Sequence, residues 1–396
     1  MMTYSFSSKA FHSLLWAQFL SAVGDNAIFV AAIALIKQSS THVPLWESFL
    51  QSAFLIAYIL LAPYVGHFAD GYPKYRVMLQ GNALKLIGAL SMISGFNPVV
   101  SYSIIGVGAA VYGPAKYGIL VEMFPAEKLI RANGYLESST IVAILLGVTL
   151  AGKIADLSLP FLFWLCAMIY LAAGVMNLFV PLTAPPSQFS LTQLKNYTLS
   201  YKSTVLAFLQ KAPARFAITG TATFWSVGGV LRLMVFAWVP YAFANNTNAL
   251  PSVLMGMLSV GVIIGAIAAG VWIRLSQIKR ALIPGFFLGA SIIAILFMHH
   301  LSGLFVLMIV VGICGGMFVV PLNALIQETG HQSIGPGMAL SIQNLCENSG
   351  MLVFTLCYSL LLHLYVPLPW VVALLGLTVM AVIIYLYTQT ATAMFS

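Results

Sequence analysis

The sequence predicts an all-α membrane protein in which twelve helices cross the bilayer. Its 396 residues are 61% hydrophobic and only 7% charged, whereas soluble domains carry about 25% charged residues. The apolar residues form long runs, and about 20 of them suffice for one crossing. Lys and Arg collect in alternate connections, so membrane orientation explains the net charge of +8 better than nucleic-acid binding does. Little of the chain is left for a soluble domain.

Twelve apolar segments follow one another along the chain. The first is too long for a secretory signal and lacks a small-residue cleavage site, so we expect it to remain as a span. Turn-forming pairs such as Asn97-Pro98 and Leu159-Pro160 separate neighbouring segments. The predicted spans cover residues 11–36, 46–68, 76–96, 99–123, 134–155, 160–181, 216–242, 251–273, 281–298, 303–327, 338–363 and 367–388.

One long polar connection divides the twelve spans into two sets of six. It covers residues 183–215 and is predicted to be a cytoplasmic loop between an N-terminal six-helix bundle, 1–182, and a C-terminal one, 216–396. With both termini in the cytoplasm, the outer connections carry only Lys37 and Lys153. The inner segments then hold Lys9, Lys74, Arg76, Lys128, Arg131, Lys195, Lys202, Lys211, Arg215, Arg274, Lys279 and Arg280.

The first span contains an acidic residue near its middle, in the sequence Gly24-Asp25-Asn26. A carboxylate at that depth costs at least about 2.5 kcal/mol if it faces lipid. We therefore expect Asp25 to face a water-filled cavity or the protein interior. A binding role and a buried ion pair that joins two helices are both consistent with this placement.

Five further charged residues are predicted inside spans: Lys85, Lys116, Glu137, Arg232 and Glu347. A helical rise of about 1.5 Å per residue spreads the six charges along the membrane normal. They could neutralise one another as ion pairs. Alternatively, they line a cavity in which Arg and Lys bind a phosphate and a carboxylate binds an amine. The predicted substrate-binding residues are Asp25, Asn26, Lys85, Lys116, Glu137, Arg232, Asn323, Gln343 and Glu347; no metal site or cofactor is expected.

The connection between spans two and three carries a specific motif that begins at Gly66. Here Gly66 allows close helix approach, Asp70 can cap or pair at a helix end, and the basic residues hold the loop inside. With two sets of six spans, this loop resembles the major facilitator superfamily. The resemblance implies that spans one, four, seven and ten line a central cavity. It also implies a conformational latch formed by Gly66, Asp70, Lys74 and Arg76. Gly71 and Pro73 depart from the usual pattern of this motif, so the latch is expected to be weaker.

A closer resemblance rests on motifs that place polar residues inside apolar helices. These motifs are Gln18–Ala27, Gly106–Leu120, Ala132–Gly147, Val319–Glu328 and Gln343–Ser349. They resemble the bacterial lysophospholipid transporter (LplT) family. The resemblance implies a multi-pass inner-membrane protein that moves lysophosphatidylethanolamine and lysophosphatidylglycerol from the outer to the inner leaflet. A separate cytoplasmic acyltransferase would then restore the second acyl chain, and the transporter is expected to be a monomer.

The charged residues inside the predicted spans are suited to binding a lysophospholipid headgroup. We expect Arg232 and Lys116 to bind the phosphate, and Asp25 or Glu347 to accept the amine, while the acyl tail stays in a lateral gap against bilayer lipid. Asp25 and Arg232 would form the outer part of the site, and Lys116, Glu137 and Glu347 the inner part. The energy source stays open between a sodium ion, a proton and no ion.

A passive scaffold for the acyltransferase is one alternative, but it would leave the six charges inside the membrane unexplained. Two further alternatives are an exporter and an enzyme. A cation-coupled exporter of amphipathic drugs would use Asp25 as a proton carrier, but span five lacks the Gly-rich antiporter signature. An intramembrane acyltransferase would need a nucleophile or a His-x-x-x-x-Asp pair near a membrane face, and the sequence shows no such pair and no metal cluster. We therefore expect a transporter and not an enzyme.

Overall fold

The computed structural model describes residues 4–39, 43–181, 189–243 and 249–393. Within these ranges the chain forms thirteen α-helices and three short 3₁₀ segments, at Leu191–Gln193, Leu275–Ala281 and Ile295–Phe297. The α-helices are α1 (Lys9–Ser39), α2 (Val43–Gly71), α3 (Lys74–Ile93), α4 (Pro98–Met123), α5 (Ala126–Leu157), α6 (Leu159–Asn177), α7 (Leu194–Gln210), α8 (Ala212–Phe243), α9 (Ala249–Trp272), α10 (Leu282–Ala294), α11 (Leu301–His331), α12 (Pro336–His363) and α13 (Leu368–Ala393).

Twelve of these helical segments are membrane spans. Eleven segments in the described part of the chain are long and apolar enough to cross a bilayer. The twelfth is α3, which packs against α4 and α6. Its 20 residues reach about 30 Å, the thickness of the hydrocarbon core. It is the least apolar span because it contains Lys74, Arg76 and Lys85. The predicted all-α fold with twelve spans is confirmed.

The remaining helix, α7, lies in the connection predicted as a plain loop, of which residues 182–188 fall outside the described ranges. Tyr197, Tyr201 and Phe208 are buried on one face of α7 at spacings of four and seven residues. The Tyr197 ring stacks on His67 of α2, with 4.1 Å between ring centroids. The connection between the sixth and seventh spans is therefore partly ordered against α2, and spans seven to twelve correspond to α8–α13.

The helices group into two compact units. The first comprises the described residues of 1–125, 139–205 and 330–345, and the second those of 126–138, 206–329 and 346–396. The units differ from the predicted halves because the start of α5 groups with the second unit and the start of α12 with the first. The predicted division at 183–215 stays a prediction.

The first unit is held together by close helix packing through small residues. Helix α3 packs on α4 and α6, α1 on α6, and α2 on α4. A Cβ atom added to Gly81 would lie 2.8 Å from the Gly108 carbonyl oxygen, and one added to Gly108 would lie 2.8 Å from Cγ of Lys85. Such small-residue contacts replace the hydrophobic driving force that lipid removes. They hold Lys85 directly against α4.

The second unit uses the same device between α9 and α11. A Cβ atom on Gly312 would lie 2.7 Å from the backbone nitrogen of Val262, and one on Gly316 would lie 2.8 Å from that of Ala266. Helix α10 packs along α13, which also contacts α8. These contacts fix α11, which carries the predicted site residue Asn323.

Candidate functional site

Asp25 and Lys85 form an ion pair inside the first unit. Oδ2 of Asp25 lies 2.6 Å from Nζ of Lys85, and Oδ1 accepts a hydrogen bond of 3.0 Å from the Tyr170 hydroxyl. The Lys85 side chain is 1% exposed and the Asp25 side chain 21% exposed. The lysine is therefore enclosed by protein, whereas part of the Asp25 side chain remains accessible. The pair also joins α1, α3 and α6.

Polar and aromatic groups surround the ammonium of Lys85. It donates a hydrogen bond of 2.9 Å to Oγ of Ser21, which donates in turn to Oδ1 of Asn82 at 2.8 Å. Its Nζ atom lies 5.0 Å from the centroid of the Tyr112 ring and 6.0 Å from that of Tyr170. Hydrogen bonds and ring faces thus stabilise the buried charge in place of water.

Two more predicted residues, Asn26 and Lys116, belong to the same unit as this pair. Asn26 follows Asp25 on α1, and its Nδ2 donates to the Ala22 carbonyl at 2.8 Å. Lys116 lies one turn after Tyr112 on α4, is partly buried, and places Nζ 4.6 Å from the centroid of the Tyr117 ring. The first unit therefore contains three buried or partly buried lysines, Lys74, Lys85 and Lys116, of which Lys85 forms the ion pair with Asp25.

The second unit brings Glu137 and Asn323 together. Nδ2 of Asn323 donates to Oε1 of Glu137 at 3.2 Å, and both side chains are buried. One turn away on the same two helices, Asn133 and Gln327 exchange two amide hydrogen bonds of 2.9 Å and 2.7 Å. Sequence reasoning missed this pair, although each member lies four residues from a predicted site residue. Together the four side chains form a polar seam between α5 and α11.

The other predicted residues of the second unit differ in exposure. Arg232 on α8 is exposed. On the preceding turn, a Cβ atom added to Gly228 would meet no atom of the described residues within 4 Å, so this side of the helix borders open space among them. Glu347 on α12 is buried, and so is Gln343 one turn earlier, which belongs to the first unit. The predicted grouping of Asp25 with Arg232 stays a prediction, because the two residues belong to different units.

Asp70 caps the N-terminus of α12 within the first unit. Its Oδ1 accepts a hydrogen bond of 2.8 Å from the backbone N–H of Gly337, and Oδ2 accepts one of 2.9 Å from Met338. The first N–H groups of a helix have no partner within it and attract negative charge. The sequence indicated that Asp70 can cap a helix or form an ion pair. Asp70 does both, since Nζ of Lys74 also donates a hydrogen bond of 2.8 Å to its Oδ1.

Of the other three residues of the predicted latch, Gly66 and Lys74 support this cap, and Arg76 does not. A Cβ atom on Gly66 would lie 2.7 Å from Cα of Met338, so only glycine permits this approach of α2 to α12. Lys74 is 1% exposed and lies 3.7 Å from Oε1 of Glu122, a partner that the sequence did not indicate. Arg76 is exposed and donates to the hydroxyl of Tyr75 instead.

Comparison with known proteins agrees with this architecture. Residues 14–355 match the family model of the Major Facilitator Superfamily. Solved structures with the same fold include the human organic anion transporter MFSD10, with a TM-score of 0.74 and 14% identity, and the transporter FucP in its outward conformation, with 0.75 and 13%. Each match covers 96% of this chain and 98% of the other. The chain belongs to the Major Facilitator Superfamily and has the fold of its transporters.

Curated relatives define the family more narrowly. The lysophospholipid transporter LplT of Yersinia enterocolitica is 44% identical over 361 residues, which cover 91% of this chain and 89% of that protein. The LplT protein of Escherichia fergusonii is 42% identical over 361 residues, with coverages of 91% and 90%. The chain belongs to the lysophospholipid transporter family LplT.

Proposed function

We propose that this protein moves lysophospholipids from the outer to the inner leaflet of the bacterial inner membrane by alternating access. The observation that carries the proposal is its membership in the LplT family over nearly its whole length. Its termini, with residues 1–3 and 394–396 outside the described ranges, would lie in the cytoplasm, as would the α2–α3 connection. A separate acyltransferase would consume the delivered lipid, and the transporter would act as a monomer.

The substrate explains why charged groups lie inside the membrane. A lysophospholipid has one acyl chain and a phosphate-bearing headgroup, and the headgroup cannot cross hydrocarbon without a substitute for water. Each unit contains a basic side chain suited to phosphate, Lys116 in the first and Arg232 in the second. The tail can remain among lipid chains throughout. Lipids with two acyl chains would be excluded sterically.

Arg232 is the stronger candidate for phosphate contact. Because an arginine that faces lipid near the bilayer centre costs about 2.5–3.5 kcal/mol or more, its exposure beside open space at Gly228 supports a place in a water-filled cavity. Guanidinium groups bind phosphate through two parallel hydrogen bonds, which an ammonium group cannot reproduce.

We expect Arg232→Ala to lower lysophospholipid uptake at least about tenfold, since a hydrogen bond to a charged group contributes about 1.5–3 kcal/mol. The measurement follows labelled lysophosphatidylethanolamine into spheroplasts that contain an acyltransferase and no other lysolipid transporter, with the diacyl product as readout. Arg280→Ala, which removes an exposed arginine between α9 and α10, is the matched control. Normal uptake by Arg232→Ala at normal expression would remove Arg232 from the path.

The ion pair changes the role expected for Asp25 and Lys85. The sequence predicts that Lys85 binds substrate, but its burial favours a different role, in which Lys85 holds and neutralises Asp25 without touching the substrate. The Asp25 side chain is partly accessible, and a carboxylate oxygen has room for more than one hydrogen bond, so it can still accept one from an ammonium group. Its negative charge is already paired, so Asp25 would contribute to amine binding mainly through hydrogen bonding.

The contacts of α12 and of the α5–α11 seam support a conformational cycle. Asp70 ties α2 and Lys74 to the start of α12, and Asn133 ties α5 to α11. Each contact consists of a few directional hydrogen bonds, so it can be made in one conformation and broken in another. We infer that the Asp70 cap stabilises one end state of the cycle, as the family resemblance implied, with Gly66 and Lys74 as its supports.

A further inference from the structure

The Asp25–Lys85 pair is asymmetric in its access to solvent. The acid is 21% exposed and its partner 1% exposed, at a separation of 2.6 Å. A headgroup that reaches this part of the first unit therefore meets the carboxylate first, with the compensating ammonium directly behind it. The enclosing groups Ser21, Tyr112 and Tyr170 hold that ammonium in place.

The charges of this pair would contribute to the electric field at a headgroup bound nearby. At an effective dielectric constant of about 20, the energy of interaction with a single charge about 8 Å away changes binding on the order of tenfold. A close pair of opposite charges acts as a dipole, so most of that energy cancels at the same distance. Without Lys85, the exposed carboxylate would repel a headgroup with a net negative charge. Without Asp25, the lysine would attract one.

We propose that Lys85 is a positioning residue that sets headgroup selectivity by neutralising Asp25. The neutral pair allows the first unit to accept zwitterionic and anionic single-chain phospholipids alike, so that recognition depends on the phosphate that both share. Tyr170 supports this role because its hydrogen bond to Oδ1 fixes the carboxylate and disperses its charge. This inference rests on the proposed transport of lysophospholipids and specifies which headgroups the protein accepts.

The test compares two labelled lipids in competition. Membranes that contain the full-length protein receive an equimolar mixture of anionic lysophosphatidylglycerol and zwitterionic lysophosphatidylethanolamine, and the uptake ratio of the first to the second is measured. The ratio does not depend on the amount of folded protein, so a purely structural defect leaves it unchanged. Lys128→Met, which removes an exposed lysine at the start of α5, is the control and keeps the wild-type ratio.

The two single variants shift the ratio in opposite directions. Lys85→Met leaves the carboxylate uncompensated and lowers the ratio, and Asp25→Asn leaves the ammonium uncompensated and raises it, each on the order of tenfold. The double variant Asp25→Asn/Lys85→Met is neutral again and returns towards the wild-type ratio. Shifts in the same direction, a shift in one single variant alone, or an unchanged ratio in both would overturn the proposal.

Two further outcomes are covered by the same design. If a single variant does not accumulate in the membrane, Tyr170→Phe replaces it and lowers the ratio by a smaller factor; an unchanged or raised ratio then overturns the inference. If the wild-type protein takes up neither lipid, the proposed function fails, and this inference fails with it. If the wild-type protein takes up both lipids and the variants keep the wild-type uptake ratio, only the selectivity role of Lys85 is removed, and the proposed transport stands.

Discussion

Asp70→Ala is expected to reduce transport at least about tenfold and to lower the melting temperature of the purified protein by several degrees. The substitution removes the acceptor of two N–H groups at the start of α12 and leaves Lys74 buried without its nearest counter-ion. Breaking a buried charge pair from one side costs about 3–5 kcal/mol, only part of which Glu122 can offset from 3.7 Å.

Two further variants separate the cap from the charge pair. Asp70→Asn keeps one oxygen for the N–H of Gly337 or Met338 but loses the ionic attraction to Lys74, so we expect an intermediate effect. Asp156→Ala removes an exposed carboxylate near the end of α5 and leaves both uptake and melting temperature unchanged. Uptake normalised to expression and thermal unfolding in detergent are the two measurements. An Asp70→Ala protein with wild-type values in both would contradict the role of the cap.

Gly108→Leu is expected to abolish the accumulation of folded protein. Its side chain would occupy the space held by the Gly81 carbonyl and by Cγ of Lys85, so α3 would have to move away from α4. Overpacking a well-filled interior costs about 1–3 kcal/mol or more, and here it would also displace Lys85 from Asp25. The loss therefore combines a packing defect with a separated ion pair inside the membrane.

The matched control is Gly152→Leu on α5, where an added Cβ atom meets nothing within 4 Å. The amount of monodisperse protein after detergent extraction, measured by size-exclusion chromatography, is the readout. We expect a normal peak for Gly152→Leu and little or none for Gly108→Leu. A normal Gly108→Leu peak with normal uptake would show that the α3–α4 contact is not needed for the fold.

Most of the fold could be predicted from the sequence because the bilayer imposes a strong length constraint on apolar runs. Even the least apolar span was identified, since the charges of α3 are few and separated by apolar residues. Helix α7 was missed because it does not cross the membrane. Its buried aromatic residues alternate with Lys195, Lys202 and several serines, a composition that a surface loop shares.

The site was only partly predictable. A short sequence motif was enough to predict that Asp70 caps a helix or forms an ion pair. The motif does not identify the helix that Asp70 caps, which begins 266 residues later at Pro336. The partner of Asp25 was not predicted, because three basic residues lie in spans at different predicted depths and the expected site grouped Arg232, not Lys85, with Asp25. Counting residues placed Lys85 nearer the middle than Asp25. The flexible lysine side chain bridges such a difference, so depth alone does not select pairs.

The most direct test of lysophospholipid transport uses the purified wild-type protein in liposomes with no other protein. Labelled lysophosphatidylethanolamine is placed in the outer leaflet, and its removal by albumin, which extracts only outer-leaflet lysolipid, is followed over time. We expect the extractable fraction to fall faster with the protein than in empty liposomes, and we expect Arg232→Ala to abolish the difference. Equal rates with and without correctly folded protein would contradict lysophospholipid movement and would favour export of amphipathic drugs.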